Sequence, residues 1–65
     1  MKFETGQRIR VPAGVDMTRG RTRAYHAEIL EIYTAPNEYG EQMVRLTNGR
    51  GRFVAFLNPD RCFPA

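Results

Sequence analysis

Glu41–Phe56 reads EQMVRLTNGRGRFVAF, and its centre, Asn48-Gly49, lies between two runs of strand-type residues. Asn-Gly is the strongest short-range signal for a β-hairpin, because both residues tolerate the positive φ of a type I′ turn. A two-residue loop there predicts a definite register. Thr47 would face Arg50, Leu46 Gly51, Arg45 Arg52, Val44 Phe53, and Met43 Val54. One face then carries Leu46, Val44 and Phe53 and belongs to a core. The other carries Arg45, Arg52, Met43 and Val54, with Thr47 and Arg50 at the tip. Two guanidiniums directly across a strand pair repel one another unless an anion lies between them. This is the chain's first functional clue.

The chain has 65 residues, which makes one domain (1–65) with a thin core. Its hydrophobic content of 42% is enough to fold, and charged residues at 26% do not read as disorder. The single Cys62 excludes an internal disulfide and an all-cysteine zinc site. No signal peptide or long apolar run is visible, so the expectation is a cytoplasmic protein with no membrane association. The net charge of +3 is unevenly placed. Residues 1–26 carry +4, residues 27–42 carry −4 through Glu28, Glu31, Glu38 and Glu41, and residues 43–65 carry +3. Nine of the ten basic residues are arginine, whose planar fork suits phosphate and stacks on bases.

Outward from the hairpin, the other elements read in turn. Phe3 anchors the lead-in, and Gln7–Val11 alternates arginine with Ile9 and Val11 as a short half-buried strand that Pro12 stops. Pro12–Thr22 is a loop, with Val15 and Met17 tucked toward the core. Arg23–Tyr33 is a longer strand, for which a helix is the competing reading. Its apolar positions Ala27, Ile29 and Ile32 change phase once, which predicts a bulge or bend. Thr34–Gly40 is a turn-rich connector. Asn58-Pro59-Asp60-Arg61 reads as a single 3-10 turn, and Cys62-Phe63 as a last short strand. The predicted core is Ile9, Val11, Ile29, Ile32, Val44, Leu46, Phe53 and Phe56.

The fold class this implies is all-β, with about five short strands and one 3-10 turn near the C-terminus. Gly6–Val11 as opening strand, Ala27–Ile32 as bent strand, the Asn48-Gly49 hairpin and the Asn58-Pro59-Asp60 closing turn resemble the SH3-like small barrel, in the broad sense that includes KOW-type domains. Phe3–Arg10, FETGQRIR, and the strand ending at Tyr33 are also similar in spacing to the opening of type II trimethoprim-resistant dihydrofolate reductases, which are SH3-like barrels working as tetramers. Their active pore uses a Val-Gln-Ile-Tyr run. The stretch here, Arg52–Phe56, lacks both the Gln and the Tyr, so the resemblance implies a shared fold without the activity.

No catalytic constellation is visible. His26 and Cys62 are the only residues of their types, no third group is signalled to orient them, and no ligand spacing points to a metal or cofactor. The reading is therefore non-enzymatic. Arg19, Arg21 and Arg23 alternate along RGRTR, so an extended backbone would point all three one way, toward successive phosphates. Arg45, Arg50 and Arg52 add a second patch, and Tyr25 offers a ring for base stacking. The expected function is nucleic-acid binding, RNA or DNA, by phosphate contacts. Two alternatives stay open: a solvated loop whose arginines pair with the four glutamates, and a protein partner bound at an apolar centre made by Met43 and Val54. Monomer and homodimer are equally compatible with the sequence.

Overall fold

A computed structural model describes residues 1–20 and 23–65, with Arg19 described by its backbone alone. Five strands form one antiparallel sheet: β1 (Arg8–Val11), β2 (Tyr25–Ile32), β3 (Gln42–Thr47), β4 (Arg52–Leu57) and β5 (Phe63–Pro64). Their order across the sheet is β4-β3-β2-β1-β5. The protein is all-β. The expected 3-10 turn spans Pro59–Arg61, with Asn58 as its cap accepting the Asp60 N–H at 2.9 Å and Pro59 at its first position. A second, unforeseen 3-10 turn spans Thr18–Gly20 in the arginine loop.

Alternation explains which side of each strand is buried. Ile9 and Val11 of β1, Ala27 and Ile29 of β2, Val44 and Leu46 of β3, and Phe53, Ala55 and Leu57 of β4 all point inward, joined by Phe3 and Cys62. Among the described residues no helix packs on this side, yet Ile9, Ile29, Leu46 and Leu57 are completely buried, with Met1, Phe3 and Val15 from the lead-in and loop packed against them.

The bend foreseen in β2 is a bulge at Leu30. Ile29 pairs with Leu46, but Arg45 pairs with Glu31, leaving Leu30 as the extra residue. The phase change in the sequence has this cause: the bulge lets Ile29 and Ile32 both lie toward the core.

The hairpin corrects the expected register. Its loop is 48–51, with Gly49 at φ +88, and the pairs are Thr47–Arg52, Leu46–Phe53, Arg45–Val54, Val44–Ala55 and Met43–Phe56. The slip is two residues, so the faces survive while every partner changes. A two-residue loop would have set Gly51 against Leu46, leaving that core position without a side chain. The observed pairing fills it with Phe53. The Asn48 side chain supports the longer loop by accepting the Arg50 N–H at 3.0 Å. Arg45 and Arg52 are consequently not opposite one another.

Two further expectations are corrected. Phe56 is 43% exposed, because the period of two that buries Phe53 buries Ala55 and Leu57 next and turns Phe56 out. Met17 is exposed rather than tucked in, because the carboxylate of Asp16 beside it turns inward instead. Ile32 is partly buried against the core. The last strand is Phe63–Pro64, one residue beyond the expected Cys62-Phe63.

Candidate nucleic-acid interface

The outward side of the sheet is built by the same alternation. β1 presents Arg8 and Arg10, β2 presents His26, Glu28 and Glu31, β3 presents Met43, Arg45 and Thr47, and β4 presents Arg52, Val54 and Phe56. Register arranges them in rows. One row runs Arg52–Thr47–Glu28–Arg8 across four strands, and another runs His26–Arg10–Phe63 across β2, β1 and β5. Four arginines and a histidine thus share a surface with two glutamates.

Most of these arginines have no acidic partner. Among the described residues, ion pairs within 4.0 Å are Arg45 Nε with Glu31 Oε1 and the N-terminal ammonium with Asp60. Arg45 and Glu31 are both about half exposed, so their attraction is worth no more than ~1 kcal/mol. Arg8, Arg10, Arg23, Arg50 and Arg52 are exposed and make no such pair among the described residues. Glu41 is instead engaged by Asn37, whose Nδ2 donates to it at 3.1 Å.

The predicted site residues fall in three places. Arg45 and Arg52 lie on the outer face as diagonal neighbours, and Arg50 lies exposed in the hairpin loop. Arg23 is exposed just before β2. Arg21 and the side chain of Arg19 lie outside the described residues. The hairpin loop and the start of β2 meet at one end of the sheet, because β3 runs antiparallel to β2 and carries 48–51 past Glu28 toward His26. A shallow hollow of about 280 Å³ marks the junction, lined by Arg8, His26, Glu28, Thr47, Asn48 and Gly49 among others. The middle of the arginine loop goes elsewhere. Thr18 Oγ1 accepts the Phe56 N–H at 3.2 Å, which pins the loop to the far half of β4.

Tyr25 occupies a packing position. It sits opposite Val11 on the inner side, its ring meets Phe53 edge-on at 5.7 Å, and its hydroxyl donates to Asp16 Oδ2 at 2.6 Å. Asp16 is the one buried polar residue among those described, and its other oxygen accepts the Thr18 N–H at 2.9 Å. Tyr25 therefore clamps the arginine loop to the sheet. Sequence reasoning missed Arg8, Arg10 and His26 as members of the surface. Alternation had already turned Arg8 and Arg10 outward; what no local pattern could supply was that β1 lies beside β2, and so sets Arg10 against His26.

His26 and Cys62 do not meet: one faces out, the other is buried. Burial above all, with the Asp16 carboxylate second, pushes the Cys62 thiol up to about 11, so it stays protonated at neutral pH and packs as a small apolar side chain. Among the described residues no three His, Cys, Asp or Glu side chains cluster as metal ligands, and no helix is long and apolar enough to cross a membrane. In comparisons with known proteins, the chain matches no family model, no curated protein and no solved structure.

Proposed function

We propose that this protein binds nucleic acid through phosphate contacts to the arginines of its outer sheet face and hairpin. The observation that carries the reading is that, among the described residues, Arg8, Arg10, Arg23, Arg50 and Arg52 make no ion pair, and of the two glutamates on the outer face Glu31 alone meets a described arginine. Uncompensated guanidiniums on the outer sheet face and at its hairpin end favour an anionic polymer over a solvated, internally neutralised face. Arg45 joins them by exchanging Glu31 for a phosphate, and Arg19 and Arg21, by residue type alone, are further phosphate contacts of the same proposal. Binding is electrostatic positioning with little base-edge readout in a duplex, since no helix is available to enter a groove. The strand order with a 3-10 turn before the last strand supports an SH3-like barrel for the fold, and the same reading makes the protein non-enzymatic, cofactor-free and cytoplasmic.

Fluorescence anisotropy with a labelled oligonucleotide across a salt series tests this. The five unpaired arginines alone give a log–log slope of about −3.5 to −4.5, steeper by roughly 0.7 to 0.9 for each further arginine engaged. No binding at low salt, or an affinity indifferent to salt, would overturn the proposal.

A protein partner is the second reading. Met43 lies opposite Phe56, and exposed Met17 and Phe56 line a hollow of about 360 Å³ with Thr18, Asn37 and Glu41. Met43 thus faces Phe56 instead of the expected Val54, a shift of two residues along the same face of β4. Contact there would hold its strength as salt rises.

A further inference from the structure

The row His26–Arg10–Phe63 has a chemistry that phosphate contact alone does not use. Register places Phe63 opposite Arg10 and Arg10 opposite His26, so three planar side chains stand side by side on adjacent strands about 4.8 Å apart. All three are exposed, and Phe63 keeps 51% of its surface in water although it belongs to the sheet. No carboxylate sits in the row; Glu28 and Glu31 lie on the rows beyond it. His26 lines two shallow hollows, one of about 210 Å³ with Arg10, Ala24 and Tyr25, the other of about 280 Å³ with Arg8, Glu28 and the hairpin loop. β5 is two residues long and forms the edge of the sheet, so no further strand covers the phenyl ring from that side.

From this juxtaposition we infer that the ligand is a single-stranded nucleic acid whose bases stack on the Phe63–Arg10–His26 row. The inference rests on the nucleic-acid reading above and narrows it. A duplex keeps its base faces inside its own stack and would offer this row nothing but phosphates. A single strand exposes base faces, and phenyl, guanidinium and imidazole planes all receive them. The phosphates on either side of the stacked bases then fall to Arg8, along β1, and to Arg50 and Arg52 across the hairpin. An isolated exposed Phe would be ordinary on any protein surface. Here it is in register with a guanidinium and an imidazole, on the face that also holds the unpaired arginines.

The decisive probe is an abasic strand, which keeps the phosphates and removes the base faces. Anisotropy is measured for a labelled thymidine dodecamer, its uridine RNA counterpart, a perfectly paired duplex of the same length, and an abasic dodecamer. The wild type binds both single strands at least about 5-fold more tightly than the abasic strand, the least that one stacked base requires. Phe63→Leu, which keeps apolar bulk at the edge strand, removes most of that advantage, Phe63→Trp restores it, and Arg10→Ala weakens every probe. Folding of each variant is checked by the dispersion of its amide spectrum. Equal affinity of the wild type for normal and abasic strands overturns the stacking inference and leaves the phosphate reading standing. So does a duplex bound as tightly as the single strands. Failure of all four probes at low salt overturns both.

Discussion

Tyr25→Phe isolates the clasp that holds the arginine loop on the sheet. The substitution deletes one oxygen and keeps the ring that packs edge-on against Phe53 at 5.7 Å. What is lost is the 2.6 Å hydrogen bond to Asp16, a carboxylate on a residue only 3% exposed, which is left with the Thr18 N–H as its remaining partner. A bond of this length to a carboxylate belongs to the strong class. Its removal costs about 1.5–3 kcal/mol, because a buried carboxylate oxygen loses its charge-assisted donor. A 65-residue domain has roughly 3–10 kcal/mol in total, so the loss is a large share. Thermal unfolding should show it as a fall of roughly 8–16 °C for about 2 kcal/mol. Urea unfolding of Tyr25→Phe, Asp16→Ala and the double variant gives the coupling between the two side chains. A coupling energy below ~0.5 kcal/mol would refute the clasp, and with it the account of what fixes the loop.

Phe53→Ala should cost roughly 3–5 kcal/mol by urea unfolding, whereas Phe56→Ala, at a position 43% exposed, should stay within about 1; comparable losses would mean that the β4 alternation is misread. Arg45→Glu sets a second carboxylate against Glu31 and should destabilise by about 0.5–1 kcal/mol at low salt, fading as salt rises, while Arg52→Glu, opposite Thr47, should be close to neutral. A stabilised Arg45→Glu/Arg52→Glu protein would instead restore the guanidinium-against-guanidinium register. Cys62 gives a pH test. Its thiol titrates near 11 when folded against 9.0 in the ordinary case, so between those values the unfolded chain sheds a proton that the folded one keeps. Stability that is fully present below pH 9 is then lost as the pH climbs toward 11, by no more than about 3 kcal/mol at 1.36 kcal/mol per unit. Cys62→Ala should flatten that part of the profile, and an unchanged slope would show the thiol to be uninvolved.

Signals that act within a few residues were legible in the chain. Alternation in Arg8–Val11 assigned its two faces, Pro12 ended it, the phase change at Ile29–Ile32 announced the bulge, and Asn58-Pro59 announced the last 3-10 turn with its cap. The hairpin faces were legible for the same reason, since side chains alternate whatever the loop length. Its register was not. Asn48-Gly49 favours a two-residue turn locally, and the demand for a side chain opposite Leu46, which exists only when the core assembles, overrode it. The packing role of Tyr25 was not legible, because nothing local says that a carboxylate nine residues away will be buried beneath its hydroxyl. Arg8 and Arg10 were visible as exposed, but their place beside His26 and Phe63 comes from β1 lying between β2 and β5. Sequence by itself determined the strands, the inner and outer faces of all of them but the Phe56 end of β4, and the excess of arginine, because these follow from backbone sterics and residue type. Tertiary structure alone decided which arginines stand together and which are left without a partner, because that depends on strand order and on what the core needs to be full.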